Sequence, residues 1–242
     1  APNAIHRTRL DPTALVELRN VPIPNEVWGI SVSATGTFEV GNTDGINFGF
    51  EVQGTRTSFV DELSLGFRLS FAEANRAVSR RLYQGSFLYR FFFADWIGAF
   101  VGDDIRKDSI AGIRVRNAAN LGGTLRPISG LDASLTIDLG ATYTYEDLTS
   151  GTSDYLGVLA KISWRQAIST ILEVVLNVRS SVDLQNLDRW SLEGNVEFRL
   201  SLDTNLLLAL RAEDTWVGVP AAGAKRNDFR MTLLLSFEQR TD

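Results

Sequence analysis

From Trp28 almost to Phe237, apolar and polar residues alternate with a period of two, and the pattern restarts segment after segment. Between positions 189 and 200 the odd positions hold Arg189, Ser191, Glu193, Asn195, Glu197 and Arg199; the even ones hold Trp190, Leu192, Gly194, Val196, Phe198 and Leu200. Successive strand side chains point to opposite faces, so this segment makes a ribbon with one apolar and one ionic face. A soluble sandwich hides the apolar face in a small core. A membrane β-barrel turns that face to lipid and encloses the polar one.

The segments that alternate number about twelve, each some 9–12 residues long, which suits a tilted membrane crossing and the even strand number of bacterial barrels. In the clearest, Leu131, Ala133, Leu135, Ile137, Leu139, Ala141 and Tyr143 face away from Asp132, Ser134, Thr136, Asp138, Gly140, Thr142 and Thr144. A tight turn from Gly41 to Gly45 joins the first two strands. The weakest segments are the fifth and sixth, about 96–104 and 112–126. There Ile97, Ala99, Val101, Ile113, Val115, Ala119, Leu121 and Leu125 are assigned outward, which makes Asn117 point outward as well.

The predicted fold is therefore all-β: a closed antiparallel up-and-down transmembrane barrel over residues 28–242, preceded by a periplasmic segment of residues 1–27. That segment holds four of the six prolines and no sustained alternation. Asp11-Pro12 ahead of residues 13–18 suits the start of a short helix, and the segment is a candidate plug or docking peptide. No apolar run approaches the length of a membrane helix. A first residue of Ala1 is what a chain processed after export shows, so the expected location is a bacterial outer membrane. The net charge is −5 with basic residues scattered along the chain and never more than two together, which argues against nucleic-acid binding by a basic patch.

Two further patterns agree with a membrane setting. With the N-terminus on the periplasmic side, links at 94–95, 127–130, 166–169 and 202–205 fall there and are short, while those at 73–80, 147–154, 183–188 and 217–227 fall on the opposite side and are longer. Aromatic residues also collect at strand ends. Trp28, Phe91, Phe93, Trp96, Trp164 and Phe237 form one expected girdle, and Phe71, Tyr83, Tyr143, Tyr145, Trp190 and Trp216 the other.

The VGNTDG turn, the FFFADW passage at 91–96, the GLDASLTIDLGATYTYED strand and the closing MTLLLSF resemble the uncharacterised family of salt-induced outer-membrane proteins. The similarity spans about residues 28–237. It implies a barrel of this architecture and specifies no activity, since the motifs are turns and girdle strands. Five residues follow Phe237, whereas outer-membrane barrels commonly finish on an aromatic residue.

The chemistry open to the chain is narrow. Outer-membrane enzymes largely rely on a histidine base near pH 7, and the single histidine, His6, precedes the barrel. With no cysteine, thiolate chemistry and His/Cys metal clusters are excluded. Glu193 with Glu197, and Asp132 with Asp138, stand roughly 13 and 20 Å apart along a strand, too far for a local dyad. We expect no catalytic, cofactor or metal site, and thus no enzyme. What remains is an inward face of mixed charge: Arg68, Arg90, Lys161, Arg165, Arg179, Arg189, Arg199, Arg211 and Arg230 against Glu51, Asp132, Asp138, Glu173, Glu193, Glu197 and Glu213. The first expectation is a structural or protein-interaction barrel whose lumen is largely filled by these balanced charges; the alternatives are a narrow passive channel and, with less weight, a lipid-modifying enzyme. Outer-membrane lipid is the expected surrounding. A protein partner would dock through residues 1–27 or the fifth and sixth strands, where Ala99, Asn117, Ala119 and Gly123 make a poor lipid face and small residues allow close approach.

Overall fold

The computed structural model describes residues 26–39, 45–74, 77–110, 112–130, 132–149, 151–219 and 226–240. The predicted short helix, His6 and nearly all of the first turn lie outside the described residues. Twelve strands follow in chain order: β1 (Glu26–Glu39), β2 (Gly45–Ser58), β3 (Asp61–Ala74), β4 (Ala77–Ala94), β5 (Ile97–Asp108), β6 (Ile113–Ser129), β7 (Ala133–Leu148), β8 (Gly151–Ala167), β9 (Leu172–Asp183), β10 (Trp190–Ser201), β11 (Leu206–Val217) and β12 (Asn227–Arg240). Each pairs antiparallel with its neighbours in the chain, and β12 returns to β1, pairing Gly29 with Arg240 through Ala34 with Leu235. The sheet is thus a closed barrel without free edges.

The alternation assigns the two faces unambiguously. Along β12, Phe229, Met231, Leu233 and Leu235 are exposed on the outer wall, whereas the inward Leu234 and Ser236 are buried. Along β7, Leu139 is 53% exposed and its neighbour Asp138 only 1%. Among the most completely buried side chains are Asn120, Thr124, Thr142 and Thr144, all on the inward face. A water-soluble fold reverses this distribution, because burying apolar area is what drives its collapse.

Several predicted boundaries shift. The barrel begins at Glu26, two residues ahead of Trp28. Residues 73–80, read as a polar link, belong mostly to the ends of β3 and β4, and residues 147–154 mostly to β7 and β8. Strand ends that rise past the apolar band have no apolar face to show, so their composition imitates a loop. Pro127, placed in a turn, lies within β6, where the register with β7 shifts between Leu125 and Ile128. A bulge is where a strand tolerates a residue with no N–H to donate. Phe237 does not end the last strand, which continues to Arg240.

Between β6 and β7 the backbones approach closely enough inside the barrel that glycine is required. Gly122 and Gly140 stand opposite each other on β6 and β7. A Cβ on Gly122 would come 2.2 Å from the Leu139 carbonyl oxygen, and one on Gly140 2.1 Å from that of Leu121.

Candidate lumen site

The inward side chains are joined by ion pairs that run across the barrel as well as along its wall. The largest network starts at Arg68 on β3, which bonds Glu51 on β2 at 3.2 Å and reaches Glu213 on β11 at 2.8 Å. Arg211 bridges Glu51 at 2.8 Å and Glu197 at 2.6 Å. Arg199 continues it to Glu197 at 2.5 Å, Glu173 at 3.5 Å and Glu238 at 3.7 Å, with Arg165 also on Glu173 at 3.4 Å. Arg230 holds the other oxygen of Glu213 at 3.6 Å. Each guanidinium offers a planar fork of donors, so one arginine spans two carboxylates on different strands.

A second chord crosses from β4 to β7. Arg90 donates to both oxygens of Asp138, at 3.1 and 2.8 Å, and Thr124 donates to the same carboxylate at 2.7 Å. Arg90 also meets Glu62 at 3.2 Å, which pairs with Arg126 at 2.6 Å. Arg126 in turn lies 3.5 Å over the Phe92 ring, a cation–π contact that holds its flat face against the wall. A third chord joins Arg179 on β9 to Asp104 on β5, with Lys161 3.9 Å from the same carboxylate and Asn120 donating to it at 3.2 Å.

These chords leave two adjoining chambers. The one toward the rim away from the termini has a volume of about 450 Å³, and the one toward the terminus-side rim about 250 Å³. They share Arg68, Gln84, Ser86, Asn177, Asn195 and Glu213. Ser86 points inward yet is exposed, as a wall group of a water-accessible space must be. The larger chamber is lined by five cationic side chains, Arg68, Arg106, Lys161, Arg179 and Arg230, against three inward carboxylates, Asp104, Glu193 and Glu213. Asp214 also borders it, but its carboxylate turns outward to accept from Trp216 Nε1 at 2.9 Å and from Asn227. The smaller chamber has three of each sign: Arg68, Arg199 and Arg211 with Glu51, Glu197 and Glu213.

Of the charges expected inside, Asp132 lies elsewhere: it occupies the exposed bend before β7, at the rim, where the alternation runs on through a turn. Arg189 also sits at a rim, 3.7 Å from Asp183 and 5.1 Å over the Tyr155 ring. The charges expected inside did not include Glu62, Asp104, Arg106, Arg116, Arg126 and Glu238. Arg116 pairs with Glu146 at 3.2 Å near the rim opposite the termini. The parity that puts Val101 outward already puts Asp104 inward, so that signal was present. Parity along the third and last strands likewise puts Glu62 and Glu238 opposite the apolar residues; Arg126 lies at a strand end beside the register shift in β6, where faces are hardest to assign. Among the described residues no group of three His, Cys, Asp or Glu is placed to hold a metal ion.

On the outer wall Trp28, Trp96, Trp190, Trp216 and Phe237 are exposed and Trp164 is half-buried. Ala119 and Gly123 are exposed there beside the half-buried Ala99. Asn117 does face outward and is satisfied by Asp103 on β5, donating to its two oxygens at 3.0 and 3.1 Å.

Residues 32–238, all twelve strands in part or whole, match the family described as Protein of unknown function, DUF481. The chain belongs to this family. No curated protein matches it. Among solved structures, the DUF481 barrel is similar to the NanC porin, with a TM-score of 0.53 at 10% identity over 87% of this chain and 98% of the porin. The KdgM porin gives a TM-score of 0.48 at 10% identity over 87% and 98%. The translocator domain of the autotransporter NalP from Neisseria meningitidis gives 0.42 at 14% over 95% and 93%. At such identities the likeness to the NanC porin is one of fold: this is a barrel of the outer-membrane type.

Proposed function

We propose that this DUF481 barrel is a narrow passive channel of the bacterial outer membrane, non-enzymatic, that passes small polar solutes with a preference for anions. The observation that carries it is the pair of adjoining chambers of about 450 and 250 Å³, the larger with five cationic groups against three carboxylates. Charged rings around a polar passage set ion preference by local field. The chord network keeps the passage narrow and holds each arginine in place. The resemblance to salt-induced outer-membrane proteins adds the expectation that the barrel is made in greater amount at high external salt, which a quantitative immunoblot checks.

Planar-bilayer recording of the reconstituted barrel tests the channel. We expect discrete conductance steps, a reversal potential on the anion side in a KCl gradient, and a shift toward cations in Lys161→Glu. A folded, inserted barrel without steps excludes the reading. The structural or interaction reading keeps one specific observation in its favour: Asp103 and Asn117 place a polar pair beside Ala99, Ala119 and Gly123 on a wall otherwise suited to acyl chains. A photo-crosslinker at position 119 that captures a protein supports that face as a contact; capture of lipid alone removes it.

A further inference from the structure

A hollow in the outer wall, separate from the lumen, lies near the rim that carries both ends of the barrel. Trp28, Ile30, Leu63 and Leu65 form its sides and Gly54 its floor, and it encloses about 280 Å³. The register explains the hollow: Gly54 sits between Ile30 on β1 and Leu65 on β3, where the missing side chain opens a gap among large ones. A Cβ built on Gly54 meets nothing within 4 Å, so neither a neighbouring backbone nor a tight turn demands glycine there. In a wall that faces acyl chains, such a gap is space for a chain to lie in.

Its mouth is charged. Arg56, on the outer face of β2, pairs with Glu26 at 2.6 Å and Asp61 at 3.1 Å, and its guanidinium lies 5.8 Å from the centre of the Trp28 ring. Asp61 accepts from the Ser58 hydroxyl at 2.5 Å and from the Tyr89 hydroxyl at 3.2 Å, which orients that carboxylate. Two carboxylates therefore face one guanidinium beside an apolar slot.

We propose that this hollow and its mouth bind one glycerophospholipid with an amine-bearing headgroup: an acyl chain lies over Gly54, the phosphate meets Arg56, and the ammonium sits against Glu26 and Asp61. Arginine has five N–H donors, and those left by the two carboxylates serve a phosphate through charge-assisted bonds. The surplus carboxylate selects for the primary ammonium. An anionic lipid brings no cation to it, and a choline headgroup brings no N–H. With this rim, whose turns are all short, on the periplasmic side, the lipid belongs to that leaflet. The proposal rests on the membrane location under the proposed function, and not on conduction.

Native mass spectrometry of the full chain in mild detergent, titrated separately with phosphatidylethanolamine, phosphatidylglycerol and phosphatidylcholine, provides the test. We expect one phosphatidylethanolamine retained per barrel, about tenfold more tightly than the other two, the ratio that corresponds to ~1.4 kcal/mol. Gly54→Leu, with heat-modifiable gel mobility as the folding control, abolishes that retention, and Glu26→Gln with Asp61→Asn moves the preference to phosphatidylglycerol. Equal retention of the three lipids, or full retention by folded Gly54→Leu, overturns the site. The headgroup comparison on the unaltered chain decides the matter even where a variant does not fold. A chain that stays in solution without detergent overturns the membrane reading itself, an outcome separate from a membrane barrel that holds lipids indiscriminately.

Discussion

Replacing Arg90 by methionine removes the cation from a deeply buried ion pair of the barrel. Asp138 is 1% exposed at its side chain and Arg90 12%, so water replaces little of what is lost. Asp138 keeps the Thr124 hydroxyl at 2.7 Å and the more distant charge of Lys161, its cross-strand neighbour on β8, while Glu62 keeps Arg126 at 2.6 Å and is not stranded. The cost is thus that of a buried carboxylate left without a direct cationic partner, about 3–5 kcal/mol. Replacing both partners, Arg90→Met with Asp138→Leu, removes the stranded charge and leaves mainly the Thr124 hydroxyl without its acceptor, roughly 1–3 kcal/mol. Urea titration of the vesicle-inserted barrel, read by tryptophan fluorescence and heat-modifiable mobility, measures both. The double variant should be more stable than the Arg90 single variant. A single variant within about 1 kcal/mol of the parent, or a double variant no better than the single, refutes the claim that this chord is a desolvated pair; the coupling energy from the full cycle then belongs to a solvated surface pair instead.

Other outcomes follow from the same geometry. Gly122→Val should prevent the folded, heat-modifiable form from appearing, because its Cβ would stand 2.2 Å from a backbone oxygen, whereas Gly54→Ala should leave it intact. Leu139→Arg, on the exposed outer face of β7, should cost about 2–4 kcal/mol in vesicles if that position lies near the bilayer midplane, and near nothing if the wall faced water. Ser86→Trp, projecting into the space shared by both chambers, should lower single-channel conductance by at least about half while the barrel still folds, since a pore's radius and lining set its passage of ions. Unaltered conductance would place the conducting path elsewhere.

Architecture was legible because it rests on a local rule repeated many times. Strand side chains alternate whatever their partners, so Leu135, Ile137 and Leu139 against Thr136 and Asp138 declare two faces without tertiary knowledge. Ends of strands were less legible. Residues 73–80 and 147–154 are polar on both faces, a composition shared by loops and by strands that continue into water. Pro127 misled for a related reason: its missing N–H is a general mark against strand interior, and only the pairing between β6 and β7 shows a bulge there.

The lumen was legible in part. Parity placed Arg68, Arg211 and Glu197 on the inward face, yet the contact of Arg68 with Glu213 joins residues 145 positions apart, from β3 to β11. No spacing in the chain encodes that distance; it depends on the closure of twelve strands into one ring. The same holds for Arg90 with Asp138 and for Arg179 with Asp104. A balanced list of charges is compatible with a filled interior and with an open one, and it was the crossing of the arginines that left two chambers between them.

By itself, then, the sequence determined the twelve-strand alternation and, along the middle of each strand, which face is apolar and which is ionic, because those properties depend on neighbours one or two positions away. Tertiary structure decided which charges meet, how much of the lumen they leave open, and where a single glycine at position 54 becomes a hollow in the wall. Those are relations between side chains far apart in the chain, and only the register and curvature of the closed sheet bring them to a few ångströms.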